Sequence, residues 1–288
     1  MSIITDTLTT GFIKMKLCGQ IIAIMMIDII SYYASLVSAW SFREFVVPDY
    51  LADASSNFPL ISYIEFWWIP LIYIFFIGYL QTYTTRLPFW EEVKVLLNGL
   101  TISMLVVLAV VTLGRIPDKV SRVIIVALWL ISIVLFPVFR LFGKRLLFKS
   151  GLFKEKVLIL GAGRAGQLIL KWLNREWHIG YEVIGFLDDD IQKIGICIEG
   201  KKIFGKIRHY TKFIKELQIN TIIIAMPSLG PEKISHMAFK IQQDVKNTMI
   251  VPDLYGISLL NTELLNLFYE EIFLLKIRNN LKSTINRT

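Results

Sequence analysis

Three glycines and one aspartate have the spacing of a phosphate-binding turn. Gly161, Gly163 and Gly166 lie in the stretch KVLILGAGRAGQLIL, and Asp188 ends the later stretch YEVIGFLD. In a Rossmann-like domain, the first glycine permits a tight turn after a strand. The second lets a phosphate approach the backbone, and the third allows close packing of helix on strand. An acid about 20 residues further on is placed to hold a ribose hydroxyl. These four residues form the candidate nucleotide site.

The same glycines also have a purely structural interpretation. A turn between strand and helix needs them whether or not a ligand is bound, and the run Asp188 to Asp190 is typical of a solvated strand end. If Gly163 requires a positive φ, we expect Gly163→Ala to destabilise the domain by about 1 kcal/mol or more without any ligand. A bound nucleotide and an empty turn both remain open.

Other candidate residues favour structure over catalysis. The acid pair Glu91 and Glu92 follows Pro88 in LPFWEEVK, which is typical of a helix start. Paired carboxylates can also act as general acid and base, but no histidine stands near them in the sequence. The stretch AMPSLGPEKIS, between a predicted strand and a predicted helix, is interpreted either as a ligand-contacting loop or as a plain turn.

Metal and disulfide chemistry are not indicated. The histidines are scattered and lack metal-ligand spacing: His178, His209 and His236. Two cysteines, Cys18 and Cys197, argue against a disulfide framework and for a reducing compartment. The sequence therefore predicts no metal site.

The glycines require a strand before them and a helix after them. The apolar segments KVLIL, YEVIGFL, TIIIAMP and NTMIVPD alternate with helical patterns. Such alternation is typical of a parallel, doubly wound Rossmann-like sheet.

The first half of the chain is predicted to lie in a membrane. Of 288 residues, 55% are hydrophobic, and the excess is concentrated there. Four runs are close to the roughly 20 residues that cross a bilayer. They are approximately Leu17–Ala39, Leu60–Leu80, Val93–Leu113 and Val123–Phe142, and Pro70 is expected to kink the second. We therefore expect a four-helix transmembrane domain over residues 1–150 and a cytoplasmic Rossmann-like domain over 151–288.

Basic residues orient the predicted spans. The formal net charge of +8 reflects lysines and arginines beside apolar runs, which favours a membrane surface over nucleic acid as partner. Most of them become cytoplasmic if the amino terminus is inside, so both ends are expected in the cytoplasm. Arg140 and Lys144 are interpreted as orienting residues. Asp28, in the middle of the first span, is interpreted as a helix-to-helix hydrogen bond without a charged partner at its depth.

The order of these parts resembles a known family. Four spans, the loop GYLQTYTTRLPFWEEVK, the basic exit RLFGKRLLFKSGLFKEKVLILGAG, and then GYEVIGFLDDD, IIIAMPS, IVPDLYGI and LLKIRNNL follow one another. This order is similar to the amino-terminal portion of bacterial polyprenyl-phosphate hexose-1-phosphate transferases, notably the undecaprenyl-phosphate galactose or glucose phosphotransferases. The resemblance implies a Rossmann-like, CoA-binding-like domain after a membrane bundle, in the bacterial inner membrane.

The resemblance places catalysis elsewhere. In the family, a further domain with a re-entrant helix and an adjacent Asp-Glu pair moves a sugar phosphate from a UDP-sugar to undecaprenyl phosphate, with Mg. No aspartate in this chain is followed by glutamate, so no catalytic residue is carried over. The chain is therefore expected to be accessory: a scaffold, an oligomerisation module or a regulator, acting through a catalytic partner domain. The resemblance also implies a homo-oligomer.

Two alternatives remain. One is a regulator of polysaccharide assembly whose Rossmann-like domain senses a nucleotide or nucleotide-sugar. The other is the amino-terminal part of a membrane nucleotide-sugar 4,6-dehydratase, which has a similar order of parts.

Overall fold

The structure, a computed structural model, describes residues 2–45, 60–114, 122–151, 153–251, 264–266 and 273–278. The chain divides between Phe153 and Lys154 into two compact units. We call them the helical unit and the sheet unit. The closing stretches IVPDLYGI and LLKIRNNL lie only partly within the described residues.

The helical unit confirms most of the predicted apolar helices. Its elements are α1 (Ser2–Phe45), α2 (Leu60–Glu65), α3 (Trp68–Tyr79), α4 (Phe89–Leu113) and α5 (Arg122–Lys149). Within the described residues, three segments are long and apolar enough to cross a membrane: Met15–Glu44, Phe89–Leu113 and Val123–Lys149. The count of four spans is not confirmed, because the second predicted run is divided into two short helices.

The division has a local cause at Pro70. Proline lacks an N–H, and its ring clashes with the carbonyl four residues earlier, which here belongs to Phe66. The chain accordingly leaves the helix at this point, and Phe66 O accepts a hydrogen bond from Ile69 N at 3.0 Å. Pro70 then occupies the first turn of α3, where its missing N–H costs little. The expected kink is therefore a full break.

Charged side chains meet inside the helical unit, contrary to the expectation for Asp28. Arg140 donates from Nε to Asp28 Oδ1 at 2.8 Å and from Nη2 to Asp28 Oδ2 at 2.6 Å. Lys144 Nζ lies 2.7 Å from both carboxylate oxygens of Glu92. Asp28 does bind across helices, but its partner is a cation. Because Arg140 and Lys144 are buried, the interpretation that they merely orient a span is wrong.

The sheet unit confirms the predicted parallel core and adds antiparallel edges. Its helices are α6 (Arg164–Arg175), α7 (Tyr210–Leu217) and α8 (Pro231–Gln242). Its strands are β1 (Glu155–Leu160), β2 (Tyr181–Leu187), β3 (Cys197–Ile198), β4 (Lys201–Gly205), β5 (Thr221–Ile224), β6 (Asn247–Ile250), β7 (Leu264–Asn266) and β8 (Phe273–Arg278). Within the described residues the sheet has the order β3-β4-β2-β1-β5-β6-β8-β7. Strands β3, β7 and β8 pair antiparallel and were not predicted.

Strand β1 is apolar throughout because both faces of the sheet are covered. Val157 and Ile159 join the core beneath α6, whereas Leu158 and Leu160 join the core beneath α7 and α8. All four side chains are fully buried. Continuous apolar runs are typical of central parallel strands. This packing holds the carboxyl end of β1, and thus the glycine-rich turn, at a defined place.

The two adjacent acids of α4 should differ in their contribution to stability. Glu92→Gln leaves Lys144 buried without its anion, so we expect a loss of about 3–5 kcal/mol in the free energy of unfolding. Glu91→Gln removes only an exposed pair with Lys94, at 2.9 Å, and should cost about 0–1 kcal/mol. Equilibrium unfolding of both variants in detergent micelles measures the difference. Equal losses would contradict the burial of Glu92.

Candidate nucleotide site at the glycine-rich turn

The glycine-rich turn lies at the topological switch point of the sheet. Strand β1 pairs with β2 on one side and with β5 on the other, both parallel. The chain therefore passes from β1 to β2 on one side of β1, and later places β5 on the other side of β1. In open parallel sheets, ligands bind in the crevice outside the carboxyl ends of the strands at such a point. The turn Gly161–Gly163 and the start of α6 occupy this edge.

Gly161 and Gly166 are required by the fold itself. Gly161 has φ +97°, a conformation that side chains rarely adopt, and a Cβ there would lie 2.7 Å from Ala225 O. A Cβ on Gly166 would lie 2.1 Å from Gly161 O. The absence of both side chains thus lets α6 approach the turn closely. This arrangement needs no ligand.

Gly163 differs from its two neighbours in the motif. It precedes the first residue of α6 with φ −77°, so the structure gives no positive φ at this position. Among the described residues, no atom lies within 4 Å of a Cβ placed there. Neither conformation nor packing therefore demands glycine. The backbone of the turn is open on this side, next to the free N–H groups of the first turn of α6, which is where a phosphate would approach.

Asp188 lies beside the turn, as the spacing predicts. Its Oδ2 accepts a hydrogen bond from Ala162 N at 2.8 Å, and its Oδ1 accepts one from Asp190 N at 2.9 Å. Lys193 Nζ lies 3.6 Å from Asp188 Oδ2. The carboxylate therefore braces the glycine-rich turn directly. Because each carboxylate oxygen can accept more than one hydrogen bond, this contact leaves capacity for a ribose hydroxyl.

The other two acids of the run have backbone partners of their own. Asp189 Oδ1 accepts from Ile207 N at 3.0 Å, and Asp190 Oδ1 accepts from Gln192 N at 3.0 Å. The run is thus more than a solvated strand end, since each carboxylate orders a neighbouring loop. Reasoning from the sequence missed this, because backbone acceptors leave no residue pattern.

A second loop borders the turn on the β5 side. The loop at Met226–Gly230 follows β5, and α8 begins at Pro231. A Cβ on Gly161 would lie 2.5 Å from Met226 Cγ, so this loop and the turn are in close contact. The stretch AMPSLGPEKIS therefore forms one wall of the crevice. Met226 was not singled out in the sequence, because an apolar residue after a strand carries no chemical signature.

A cluster of metal-ligating side chains is not found in the described part of the chain. No group of three or more His, Cys, Asp or Glu side chains there is arranged to hold a metal ion. Glu91 and Glu92 point to different partners, one exposed and one buried, so they do not act as a carboxylate pair.

Comparison with known proteins supplies a family. A family model described as a CoA-binding domain matches residues 76–252. The chain is 29% identical over 217 residues to the undecaprenyl-phosphate galactose phosphotransferase of Salmonella typhimurium, covering 72% of this chain and 43% of the relative. It is 27% identical to the UDP-galactose-lipid carrier transferase of Erwinia amylovora, with the same coverage. The capsular polysaccharide biosynthesis protein CapD of Staphylococcus aureus is 26% identical over 51% of this chain and 26% of its own length. The chain thus spans less than half the length of these relatives.

Alanine substitutions should separate the three glycines. We expect Gly161→Ala and Gly166→Ala each to destabilise the sheet unit by more than about 1 kcal/mol, from a positive φ and a backbone clash respectively. Gly163→Ala should leave stability within about 0.5 kcal/mol, because its Cβ enters open space. Urea unfolding of the 288-residue variants, monitored by tryptophan fluorescence, measures these changes in stability. A loss at Gly163 as large as at Gly166 would contradict the open turn.

Proposed function

This chain belongs to the CoA-binding domain family and to the bacterial sugar transferases, and on that premise we propose that it forms the membrane-embedded part of an initiating transferase. Such a transferase moves a hexose 1-phosphate from a UDP-sugar to undecaprenyl phosphate and begins a surface polysaccharide. The observation that carries the proposal is the extent of the similarity. The matched residues 76–252 include α4 and α5 of the helical unit as well as β1 to β6 of the sheet unit.

The helical unit would anchor the transferase in the bacterial inner membrane. Helices α2 and α3 together cover residues 60–79, long enough to serve as a fourth, broken crossing of about 30 Å. With that crossing, both ends of the chain lie in the cytoplasm, where UDP-sugars are available. The domain boundary then falls near residue 150, with residues 1–150 in the membrane and 151–288 in the cytoplasm.

The chain is proposed to be accessory to the chemical step. The catalytic partner domain would hold the magnesium, the UDP-sugar and the undecaprenyl phosphate. The sheet unit would position or regulate that domain, and it would support a homo-oligomer. The glycine-rich turn offers backbone N–H groups at the start of α6 for such a regulatory contact with a phosphate.

A turnover assay tests the accessory role. We expect the purified chain in nanodiscs to release no UMP from UDP-galactose or UDP-glucose in a manner that depends on undecaprenyl phosphate. Adding the carboxyl-terminal catalytic portion of a full-length relative should produce lipid-dependent release. The matched control is that portion alone, which tells whether the chain contributes. Lipid-dependent release by the chain alone would overturn the proposal.

A second candidate function is nucleotide sensing at the glycine-rich turn. The open space at Gly163 supports it, because neither the backbone conformation nor the packing there requires glycine, and a phosphate could approach the backbone. A sugar nucleotide bound at this edge would place its diphosphate on the start of α6 and a ribose hydroxyl near Asp188. The sheet unit would then report the supply of substrate to the catalytic domain.

Ligand-induced stabilisation tests nucleotide binding. We expect UDP-galactose, UDP or a dinucleotide, at about 100 times its Kd, to stabilise the sheet unit of the full chain by about 2.7 kcal/mol. Gly163→Ala should abolish this gain while leaving the unliganded protein unchanged, because its methyl group blocks the approach of a phosphate. If no nucleotide stabilises the unaltered chain, nucleotide sensing is excluded and the proposed membrane role is unaffected.

A further inference from the structure

Among the described residues, the helical unit buries Arg43 and a contacting group of four charged side chains that the proposed transferase role does not use. Asp28, Glu92, Arg140 and Lys144 expose between 1% and 6% of their surface. They come from α1, α4 and α5, and their formal charges cancel. Unpaired charges are expensive in an apolar interior, and the charged residues found there are paired or functional. We call these four residues the charge quartet.

The quartet consists of two ion pairs joined by a third contact. Arg140 binds Asp28 through two hydrogen bonds, and Lys144 binds both oxygens of Glu92. Arg140 Nη1 also donates to Glu92 Oε1 at 2.9 Å. The guanidinium is planar, so it reaches two carboxylates from fixed directions. Removing either complete pair therefore leaves a bonded, neutral pair behind.

The loop between α3 and α4 supplies two further residues that contact the quartet. Tyr83 donates its hydroxyl to Asp28 Oδ2 at 2.7 Å, and its ring centroid lies 5.2 Å from the Arg140 guanidinium carbon. Thr82 Oγ1 accepts from Arg140 Nη2 at 3.3 Å and donates to Ile77 O at 2.9 Å. Both side chains are buried. The charges thus have hydrogen-bond partners from the loop as well as from the helices.

A close helix contact stands beside the quartet and supports the same alignment. A Cβ on Gly143 of α5 would lie 2.4 Å from Ile27 Cδ1 and 2.8 Å from Ile27 Cγ1 of α1, so a larger residue would force the Ile27 side chain to shift. Ile27 precedes Asp28, and Gly143 precedes Lys144. Sliding α1 by one turn, about 5.4 Å, would lose this packing and separate Asp28 from Arg140.

We propose that the charge quartet is an alignment lock that selects one register of α1 against α4 and α5. Any other register leaves at least one charge buried without its partner, which the apolar surroundings make costly. The lock acts through specific contacts between named partners rather than through neutrality of the group as a whole.

The lock makes α1 more than an anchor. The family match begins at residue 76 and therefore contains Glu92, Arg140 and Lys144 but not Asp28. Without α1, these three residues carry one uncompensated positive charge. Asp28 on α1 supplies the carboxylate that Arg140 binds through two hydrogen bonds, so α1 is needed to complete the quartet.

Double variants of the full chain in nanodiscs test the lock, because each removes one acid and one base. Asp28→Asn/Arg140→Gln leaves Glu92 bonded to Lys144, and Glu92→Gln/Lys144→Gln leaves Asp28 bonded to Arg140. We expect both to lower the thermal midpoint of the helical circular dichroism signal by only a few degrees. Glu92→Gln/Arg140→Gln leaves Asp28 and Lys144, which the structure does not pair, and should lower it by about 10 °C or more.

A suppressor test connects α1 to α5 directly. Arg140→Gln alone should be more damaging than the same substitution combined with Asp28→Asn, because the second change removes the stranded acid. The exposed pair serves as control: Glu91→Gln/Lys94→Gln should have no effect on the midpoint. If the cross-pair double fails to accumulate while both pair-removing doubles do, the lock is supported. Equal loss or equal tolerance in the three doubles would overturn it.

Discussion

The pairing of Arg140 with Asp28 is the interaction on which the helical unit depends. A guanidinium in an apolar interior needs an anion with matched geometry, and Asp28 supplies two oxygens at 2.6 and 2.8 Å. The two residues are 112 positions apart, so the pair joins α1 to α5, the first and last helices of the helical unit. Glu92 accepts a hydrogen bond from Arg140, and Tyr83 donates one to Asp28, so both residues contact a member of this pair. Pairing of opposite charges therefore fixes how the helices pack more strictly than apolar contacts can, because apolar side chains find equally good contacts with lipid.

The sheet unit depends on a steric constraint instead. The absence of side chains at Gly161 and Gly166 lets α6 approach the end of β1, and the loop at Met226 packs against the same turn. Close contacts therefore surround Gly161 and Gly166, whereas Gly163 has none among the described residues. A single motif thus contains two glycines that the fold requires and one, Gly163, that it does not. Asp188 binds the backbone of the same turn.

The family match extends across both units of the chain. The chain belongs to the CoA-binding domain family, whose match begins in α3 and ends just after β6. The similarity to the two sugar transferases covers less than half the length of each relative. Both units therefore belong to the region shared with these relatives. Sequence similarity over much of the chain, rather than any one catalytic group, relates it to proteins named for sugar transfer and polysaccharide biosynthesis.

The sequence by itself determined the two-part organisation, the long apolar helices, the four central parallel strands and the position of the glycine-rich turn. These follow from local patterns: continuous apolar runs, alternation of strand and helix, and glycines at fixed spacing. Only the tertiary structure decided that Asp28 has a charged partner, that Glu92 is buried while Glu91 is exposed, and that Gly163 stands in open space. It also decided the antiparallel edges and the break before Pro70. The physical reason is that pairing, burial and open space depend on residues far apart in the chain, and no local pattern records which of them meet.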